Sequence, residues 1–373
     1  MAEIPMNREP TAIWDHFDID LFIKVADLSI LNPAFAMWVP VVYMTQGFGT
    51  NTNVFFYSCV YVFSTVVLLL FRWSHIVYAN RSWRFGMVGL THFRKTDWET
   101  EVVVVTGGAN GIGRIIAETL AVRHVVVVVL DVEEPDYIDN YDDVYFFKCD
   151  IGKKEEVDRV AEEIRKELGD PTILINNAGV VQGKSLLDLS ENEIKKTFDV
   201  NVLAHFWTIK AFLPAMIKSD HGHIVTVSSV LGHIGVSQLS DYCASKAALL
   251  GLHDSLTAEL KNSPSTKNLR NVHLSLLCPG QVRTRMFSSI RIAPGLASFF
   301  CPIVEPHNVA KEVIQVLDCC ESREIYVPFY TGFAWLERGL PSWLRDAARW
   351  FTNADKAMEG FKRPPVTAEK KTE

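Results

Sequence analysis

The stretch Thr106-Gly107-Gly108-Ala109-Asn110-Gly111-Ile112-Gly113 restricts the folds open to this chain more than any other. It follows the apolar run 102–105 and leads into a helical pattern over 114–121. Glycines at such a junction permit a tight turn and let the backbone approach a pyrophosphate seated at a helix N-terminus. The glycine pattern alone is weak. It becomes specific between an apolar strand and a helix, with Asp131 closing the next strand at 125–130. That second strand is apolar throughout, as a strand covered on both faces should be. Strand and helix patterns then alternate as far as residue 330. The expected fold is α/β: a Rossmann-type doubly wound parallel sheet, preceded by an N-terminal membrane-anchoring helical region.

Three further stretches fall where open α/β sheets bind ligands, at the carboxyl ends of strands. Asn176-Asn177-Ala178-Gly179 closes the strand 172–175, and Ser228-Ser229 closes 223–227. Asp241-Tyr242-Cys243-Ala244-Ser245-Lys246 opens a helix on which Tyr242 and Lys246, four apart, share a face. A free phenol has a pKa of about 10. An ammonium one turn away is expected to lower it and make the tyrosine a general acid/base for an alcohol or carbonyl. Such a pair also occurs on ordinary surface helices, and Asn, Ser and Gly are common turn residues. Their convergence on one crevice makes them a candidate site.

Asp131 is placed to hydrogen-bond the adenosine ribose hydroxyls and to repel a 2′-phosphate. Val132, Glu133 and Glu134 follow it, and Asn110 is neutral, so no cation at these positions would receive that phosphate. NAD is therefore favoured over NADP.

The motifs TGGANGIG, NNAG, Ser229, YCASK and Pro279-Gly280-Gln281-Val282-Arg283-Thr284 together resemble the short-chain dehydrogenase/reductases over residues 99–330. The resemblance implies that Tyr242 is the acid/base, Lys246 the ribose anchor and pKa modulator, and Ser229 the donor to the substrate oxygen. Asn201 matches the family's helix asparagine that holds a water in a proton relay. Cofactor contacts are implied for Thr106, Gly107, Asn110, Gly111, Ile112, Gly113 and Asp131. They are implied also for Asp150 and Ile151 beside the adenine, for Asn177, Ala178 and Gly179, and for Pro279, Gly280, Val282 and Thr284 near the nicotinamide. The segment GHIVTVSSVLG with DYCASK looks similar to the membrane-associated branch. That branch includes retinol dehydrogenases and 17β-hydroxysteroid dehydrogenases of the endoplasmic reticulum and lipid droplets. The chain departs from it in a longer region before the dinucleotide fold.

That region is 1–98. The run 54–71 is 18 residues without charge. At about 1.5 Å per residue it spans about 27 Å, close to a bilayer's hydrocarbon thickness. A buried core helix is the alternative. Arg72, Arg81, Arg84, Arg94 and Lys95 follow it, which by positive-inside bias puts the later residues in the cytosol. The stretches 21–31, with Lys24 and Asp27, and 34–44, with Pro40, are expected to be re-entrant, interfacial or one arm of a hairpin.

In the catalytic half, Ser190 and Glu193 form a capping box that starts one long helix carrying Asn201 and running to about Lys218. Residues 285–304, with Met286, Phe287, Ile290, Ile292, Phe299 and Phe300, read as an apolar lid or as helices packed on the core or the membrane. The last domain strand is 324–327. The extension 331–373 carries Trp343, Leu344, Ala347, Trp350 and Phe351 on one helical face, opposite Arg345, Asp346 and Arg349. It suits a membrane interface or docking on the protein. Beyond Pro364 and Pro365 the tail reads as disordered.

The 373 residues exceed what one such domain needs, and 48% are hydrophobic, in keeping with an added membrane segment. The net charge of −7 excludes a basic nucleic-acid footprint. Seven cysteines without paired zinc spacing imply no metal site and a reducing compartment. Cys319 and Cys320 read as packing residues on a helix. The expectation is an enzyme of the membrane of the endoplasmic reticulum or lipid droplets, with its catalytic domain facing the cytosol. It would transfer a hydride between NAD and a lipophilic alcohol or ketone (retinoid, sterol or long-chain lipid), with a homodimer left open. One alternative is an NADPH-dependent reductase of a 3-ketoacyl chain or acyl-dihydroxyacetone phosphate, against which Asp131 speaks. The other is a non-catalytic lipid-droplet scaffold, which needs none of Asn201, Ser229, Tyr242 and Lys246.

Overall fold

The structure is a computed structural model that describes residues 18–45, 53–79, 96–266, 269, 271–287, 296–359 and 361. Arg81, Arg84, Arg94, Lys95, Ile290, Ile292, Pro364 and Pro365 lie outside the described residues. Contacts divide the chain into two compact units, one within Glu9–His92 and one within Phe93–Glu373.

The first unit is helical. Helix α1 (Ile19–Leu28) starts at Asp18, whose carboxylate accepts from Leu21 N at 2.9 Å. Helix α2 (Pro33–Thr45) contains Pro40 and packs against α3 (Asn53–Ala79), and the Tyr61 hydroxyl of α3 donates to Ile30 O. The apolar stretch of α3 with described side chains is Phe55–Leu70. Large side chains stay exposed along it, among them Phe56, Tyr57, Leu68 and Phe63, the last 70% exposed. Among the described residues, one helical stretch is long and apolar enough to cross a membrane, Glu191–Ser219. Half of it is buried in the second unit, so it is a core helix.

The second unit holds β1 (Val102–Thr106), α4 (Gly111–Ala121), β2 (Val126–Asp131), β3 (Val144–Lys148), α5 (Lys154–Glu167) and β4 (Ile173–Asn176). There follow α6 (Glu191–Phe198), α7 (Ala204–Ser219), β5 (Gly222–Val227), α8 (Ser240–Asn262) and β6 (Val272–Pro279). The last elements are α9 (Leu296–Phe300), α10 (Pro306–Asp318), β7 (Glu324–Val327) and α11 (Ser342–Thr352). Seven parallel strands form one sheet in the order β3-β2-β1-β4-β5-β6-β7. The chain grows outward from β1 to β3, then returns to β4 on the other side of β1. The carboxyl ends of β1 and β4, with Thr106 beside Asn176, are therefore the topological switch point where such sheets open a crevice.

Alternation along the strands divides the core into two layers. Val103 and Val105 of β1 face Ile116 and Leu120 of α4 and Val313 of α10, while Val104 faces Val160 and Ile164 of α5 and Phe212 of α7. Both faces are covered, which is why the strands read as unbroken apolar runs.

Three local readings change. The long helix is interrupted: between α6 and α7, residues Asp199–Leu203 form a π-turn around Asn201. The Ser190–Glu193 capping box that starts it is present. Cys319 and Cys320 lie past the end of α10, where Cys320 takes a left-handed conformation and its Sγ sits 3.1 Å from Thr96 Oγ1. Thr96 and Trp98 are tied to the sheet unit, through Thr96 N to Asp318 O at 3.2 Å and Trp98 Nε1 to Asp318 Oδ1 at 2.8 Å.

Candidate active site

The glycine-rich turn is built against the end of β4. Gly107 has φ +68°, and a Cβ there would stand 2.8 Å from Ala178 Cα. A Cβ on Gly113 would overlap Gly107 O and come within 2.5 Å of Asn177 Nδ2. Backbone proximity, not only turn geometry, requires glycine at both places. Thr106 Oγ1 accepts from Asn177 N (3.0 Å) and Ala178 N (3.1 Å), and Asn177 Nδ2 donates to Thr106 O and Gly107 O (3.1 Å each). The side chains of Thr106 and Asn177 thus fasten the two loops together.

Asn110 is the N-cap of α4, and its side chain makes no capping bond. It donates instead to Glu133 Oε2 at 3.4 Å. The first-turn N–H groups, including those of Gly111, Ile112 and Gly113, keep the positive end of the helix dipole for an anion. Asp131 Oδ2 accepts from Ala109 N at 3.0 Å, and Oδ1 from Val132 N (2.7 Å) and Glu133 N (3.2 Å). Burial pushes its pKa up, against these hydrogen bonds, which pull it down. Arg114, at the start of α4, is already engaged: it pairs with Glu118 (3.0 Å) and Asp136 (2.7 Å) and lies over the Tyr137 ring. An uncapped helix N-terminus beside an acidic strand end fits a dinucleotide in chemistry and placement. At the end of β3, Asp150 Oδ1 accepts from Gly152 N at 3.2 Å and Ile151 is buried. Beyond β6, Pro279 closes the strand, Gly280 backs onto Pro328 and Tyr330, and Val282 is buried and bridges to Val304. Thr284 Cγ2 would lie 3.9 Å from a Cβ on Gly111, which brings this segment over the glycine turn.

The acid/base candidates meet on the other side of the switch point. Tyr242 is 6% exposed and Lys246 is buried beside it, with Nζ 5.7 Å from the Tyr242 ring centroid. Lys246 Nζ donates to Val227 O at 2.9 Å. The two serines divide in role. Ser228 Oγ donates to Lys246 O at 3.0 Å and so faces inward, whereas Ser229 Oγ accepts from Leu231 N at 3.1 Å and lies close enough to the Tyr242 phenol to pull its pKa down. Asn201 is fully buried. Its Oδ1 accepts from Val180 N (2.7 Å), and its Nδ2 donates to Val180 O (2.9 Å) and Ser245 Oγ (3.0 Å). The π-turn directs this amide at the backbone of Val180, in the loop after β4, in line with the tendency of such bulges to mark functional positions. A Cβ on Gly179 would sit 3.4 Å from Asn201 Oδ1 and 3.7 Å from Lys246 Nζ, so Gly179, Asn201 and Lys246 share one small space.

The electrostatics correct one expectation. The net shift of the Tyr242 phenol is upward, not downward. Burial pushes it up, and the Ser229 hydrogen bond, which pulls the other way, does not offset that. The ammonium itself is lowered by burial to about 8. His205, one turn past Asn201, is pushed down to about 3 by burial and by the Lys246 charge, so it is neutral at physiological pH.

Tyr242 belongs to an apolar cluster with Val181, Leu239, Cys243 and Met358, against which Met286, Phe287 and Phe361 pack. Phe287 meets the Tyr242 ring edge-on at 6.0 Å. Sequence reasoning missed Ser245, Leu239 and the two C-terminal residues. The first lay within a quoted motif, but the others carry no local signal.

The family model for short chain dehydrogenases matches residues 101–294. Retinol dehydrogenase 10-B of Danio rerio is 34% identical over 313 residues, covering 75% of this chain and 90% of that protein. Estradiol 17-beta-dehydrogenase 11 of Homo sapiens is 37% identical over 249 residues, covering 65% and 79%. Short-chain dehydrogenase/reductase family 16C member 6 of Bos taurus is 40% identical over 202 residues, covering 52% of this chain and 63% of that protein. Among solved structures, the ligand-free aldohexose dehydrogenase of Thermoplasma acidophilum superposes with a TM-score of 0.54 at 26% identity, covering 62% of this chain and 94% of that one.

Proposed function

The chain belongs to the short-chain dehydrogenase family, oxidoreductases that act on CH–OH groups with NAD(P), and we propose that it oxidises lipophilic alcohols with NAD at Tyr242. The observation that carries this reading is the apolar cluster packed around a tyrosine that has Ser229 near its phenol and Lys246 beside its ring. A polar substrate would bury unpaired groups there, whereas a lipid-like alcohol would not. The relatives named for retinol and estradiol support the same substrate class.

The bound nicotinamide supplies the hydride acceptor. The N–H groups at the start of α4 would hold the pyrophosphate, Asp131 the adenosine ribose, and Lys246 the ribose beside the ring. Ser229 and Tyr242 would together hydrogen-bond the alcohol oxygen, placing its carbinol carbon. Tyr242, as phenolate, takes the hydroxyl proton. Because burial disfavours the phenolate, its formation depends on charge arriving nearby, and the Lys246 ammonium is the group placed to stabilise it. Asn201, held by Val180 and Ser245, would position the water that links Lys246 to solvent.

Preference for NAD follows from Asp131 and its acidic neighbours. Substituting Asp131→Ala together with Val132→Arg removes a repelling charge and adds a binding one. The ratio of NADPH to NADH affinity, read by fluorescence titration, should rise about tenfold or more. A parent chain that already binds NADPH more tightly contradicts this part of the proposal.

Residues 1–98 would anchor the enzyme in a membrane, with 99–330 as the catalytic domain and 331–373 as an interfacial extension. The exposed apolar side chains of α3 support the anchor. None of the residues of α11 is buried, and Trp350 is 83% exposed, as an interfacial helix requires. Placement on the endoplasmic reticulum or lipid droplets, facing the cytosol, belongs to the same proposal. The 373-residue chain should stay with membranes in alkaline carbonate. A chain lacking residues 1–94, which keeps the Thr96 and Trp98 bonds to Asp318, should be released. Release of the parent chain would rule out a spanning α3.

A further inference from the structure

The oxidation site at Tyr242 is closed by residues from the far end of the chain. After α11 the backbone passes through the turn Ala354–Lys356 and reaches Met358 and Phe361. Met358 is only 1% exposed although it lies well beyond the last strand. It shares one buried cluster with Val181, Leu239, Tyr242 and Cys243, and Phe361 packs against that cluster. A Cβ on Gly183 would overlap the Phe361 ring and lie 3.0 Å from Met358 Cε, so both side chains rest on the loop that follows Gly179. Asp355 Oδ1 accepts from Ser237 N at 3.4 Å, on the segment leading into α8. The C-terminal turn is thereby tied to both loops that flank Tyr242.

We propose that Met358 and Phe361 are specificity-determining residues that form the outer wall of the substrate cleft and select alcohols bearing an extended apolar group. This inference rests on the reading of Tyr242 as the alcohol-oxidising group. Tyr242 is only 6% exposed, so an alcohol that meets its hydroxyl packs against the residues that cover it. The β5 end belongs to the sheet, and α8 packs against it. Met358 has three rotatable side-chain bonds and sits outside both, and methionine adapts its shape at little cost. An entering apolar chain replaces the contacts it disturbs with equivalent ones. A polar or short alcohol does not, and leaves part of the wall uncovered.

Cys243 offers a readout independent of turnover, because it is a free thiol in the same cluster and burial raises its pKa. The 373-residue chain in detergent is treated with N-ethylmaleimide, and alkylation of Cys243 is followed by peptide mapping. In Met358→Ala and Phe361→Ala the Cys243 rate should rise about tenfold, and in Met358→Leu it should stay near the parent rate. The ratio of kcat/KM for a long-chain over a short-chain alcohol should fall about tenfold in both alanine variants. NADH binding should be unchanged. Should an alanine variant fail to bind NADH, Met358→Gln, which keeps the length and adds polarity, should lower the same ratio. An unchanged Cys243 rate in both alanine variants overturns the proposal, and so does a faster rate with an unchanged substrate ratio. A parent chain that oxidises no alcohol sinks the proposed function instead, and the Cys243 rates still decide whether these two residues cover the cluster.

Discussion

Tyr242→Phe should lower alcohol turnover by about 10²- to 10⁴-fold while leaving NADH affinity within a few-fold of the parent. The ring stays, and with it the contacts to Phe287 and to the Val181, Leu239 and Met358 cluster, so the fold around α8 is kept. Only the hydroxyl is lost. The nearby Ser229 Oγ keeps its hydrogen bond from Leu231 N. The loss should appear in kcat and in kcat/KM alike, because the proton transfer belongs to the transition state. Turnover within about tenfold of the parent would move the acid/base role to another group.

Lys246→Met should have the second largest effect, and on two observables of opposite sign. Turnover should fall by about 10²-fold or more, because the phenolate loses the charge placed to stabilise it. The stability difference between parent and variant should depend on pH. Lys246 has an ordinary value of 10.5 and is lowered to about 8 in the fold by burial. Below pH 8 both the folded and unfolded chains hold the proton, and burial of the charge destabilises the fold. Between about 8 and 10.5 the unfolded chain holds more protons than the folded one, so parent stability rises with pH. The rise is on the order of 3 kcal/mol, at about 1.4 kcal/mol for each pH unit. The difference in unfolding free energy between parent and Lys246→Met, followed by denaturant titration from pH 7 to 10.5, should shift in favour of the parent by that amount. A difference flat across the window would mean that the ammonium is not held in a desolvated site.

The sheet and its switch point were legible because their determinants are local. Unbroken valine runs at 102–105 and 125–129 announce strands covered on both faces, and the glycines between strand and helix announce the turn. The Ser190 capping box was readable for the same reason. The π-turn was not. Its register is set by Asn201 reaching Val180, 21 residues upstream, and no helical periodicity encodes that contact. The pKa of Tyr242 was misjudged on similar grounds. Spacing on α8 reveals the ammonium one turn away, but the phenol is raised by burial in a cluster that includes Met358 and Phe287, remote in sequence. Cys319 and Cys320 were assigned to a helix by pattern, whereas the chain turns out at Asp318 to meet Thr96 and Trp98. Long-range packing decided each of these cases.

The central claim is that this chain moves a hydride from a lipophilic alcohol to NAD with Tyr242 taking the proton. It is tested most directly by isotope transfer. The 373-residue chain in detergent micelles is incubated with NAD and a retinoid, sterol or long-chain alcohol carrying deuterium on the carbinol carbon, and the reduced coenzyme is read by mass spectrometry. The account predicts deuterium in NADH for the parent, forming at least about tenfold more slowly with Tyr242→Phe. Unlabelled coenzyme across all three alcohol classes, or equal transfer by Tyr242→Phe, would contradict it.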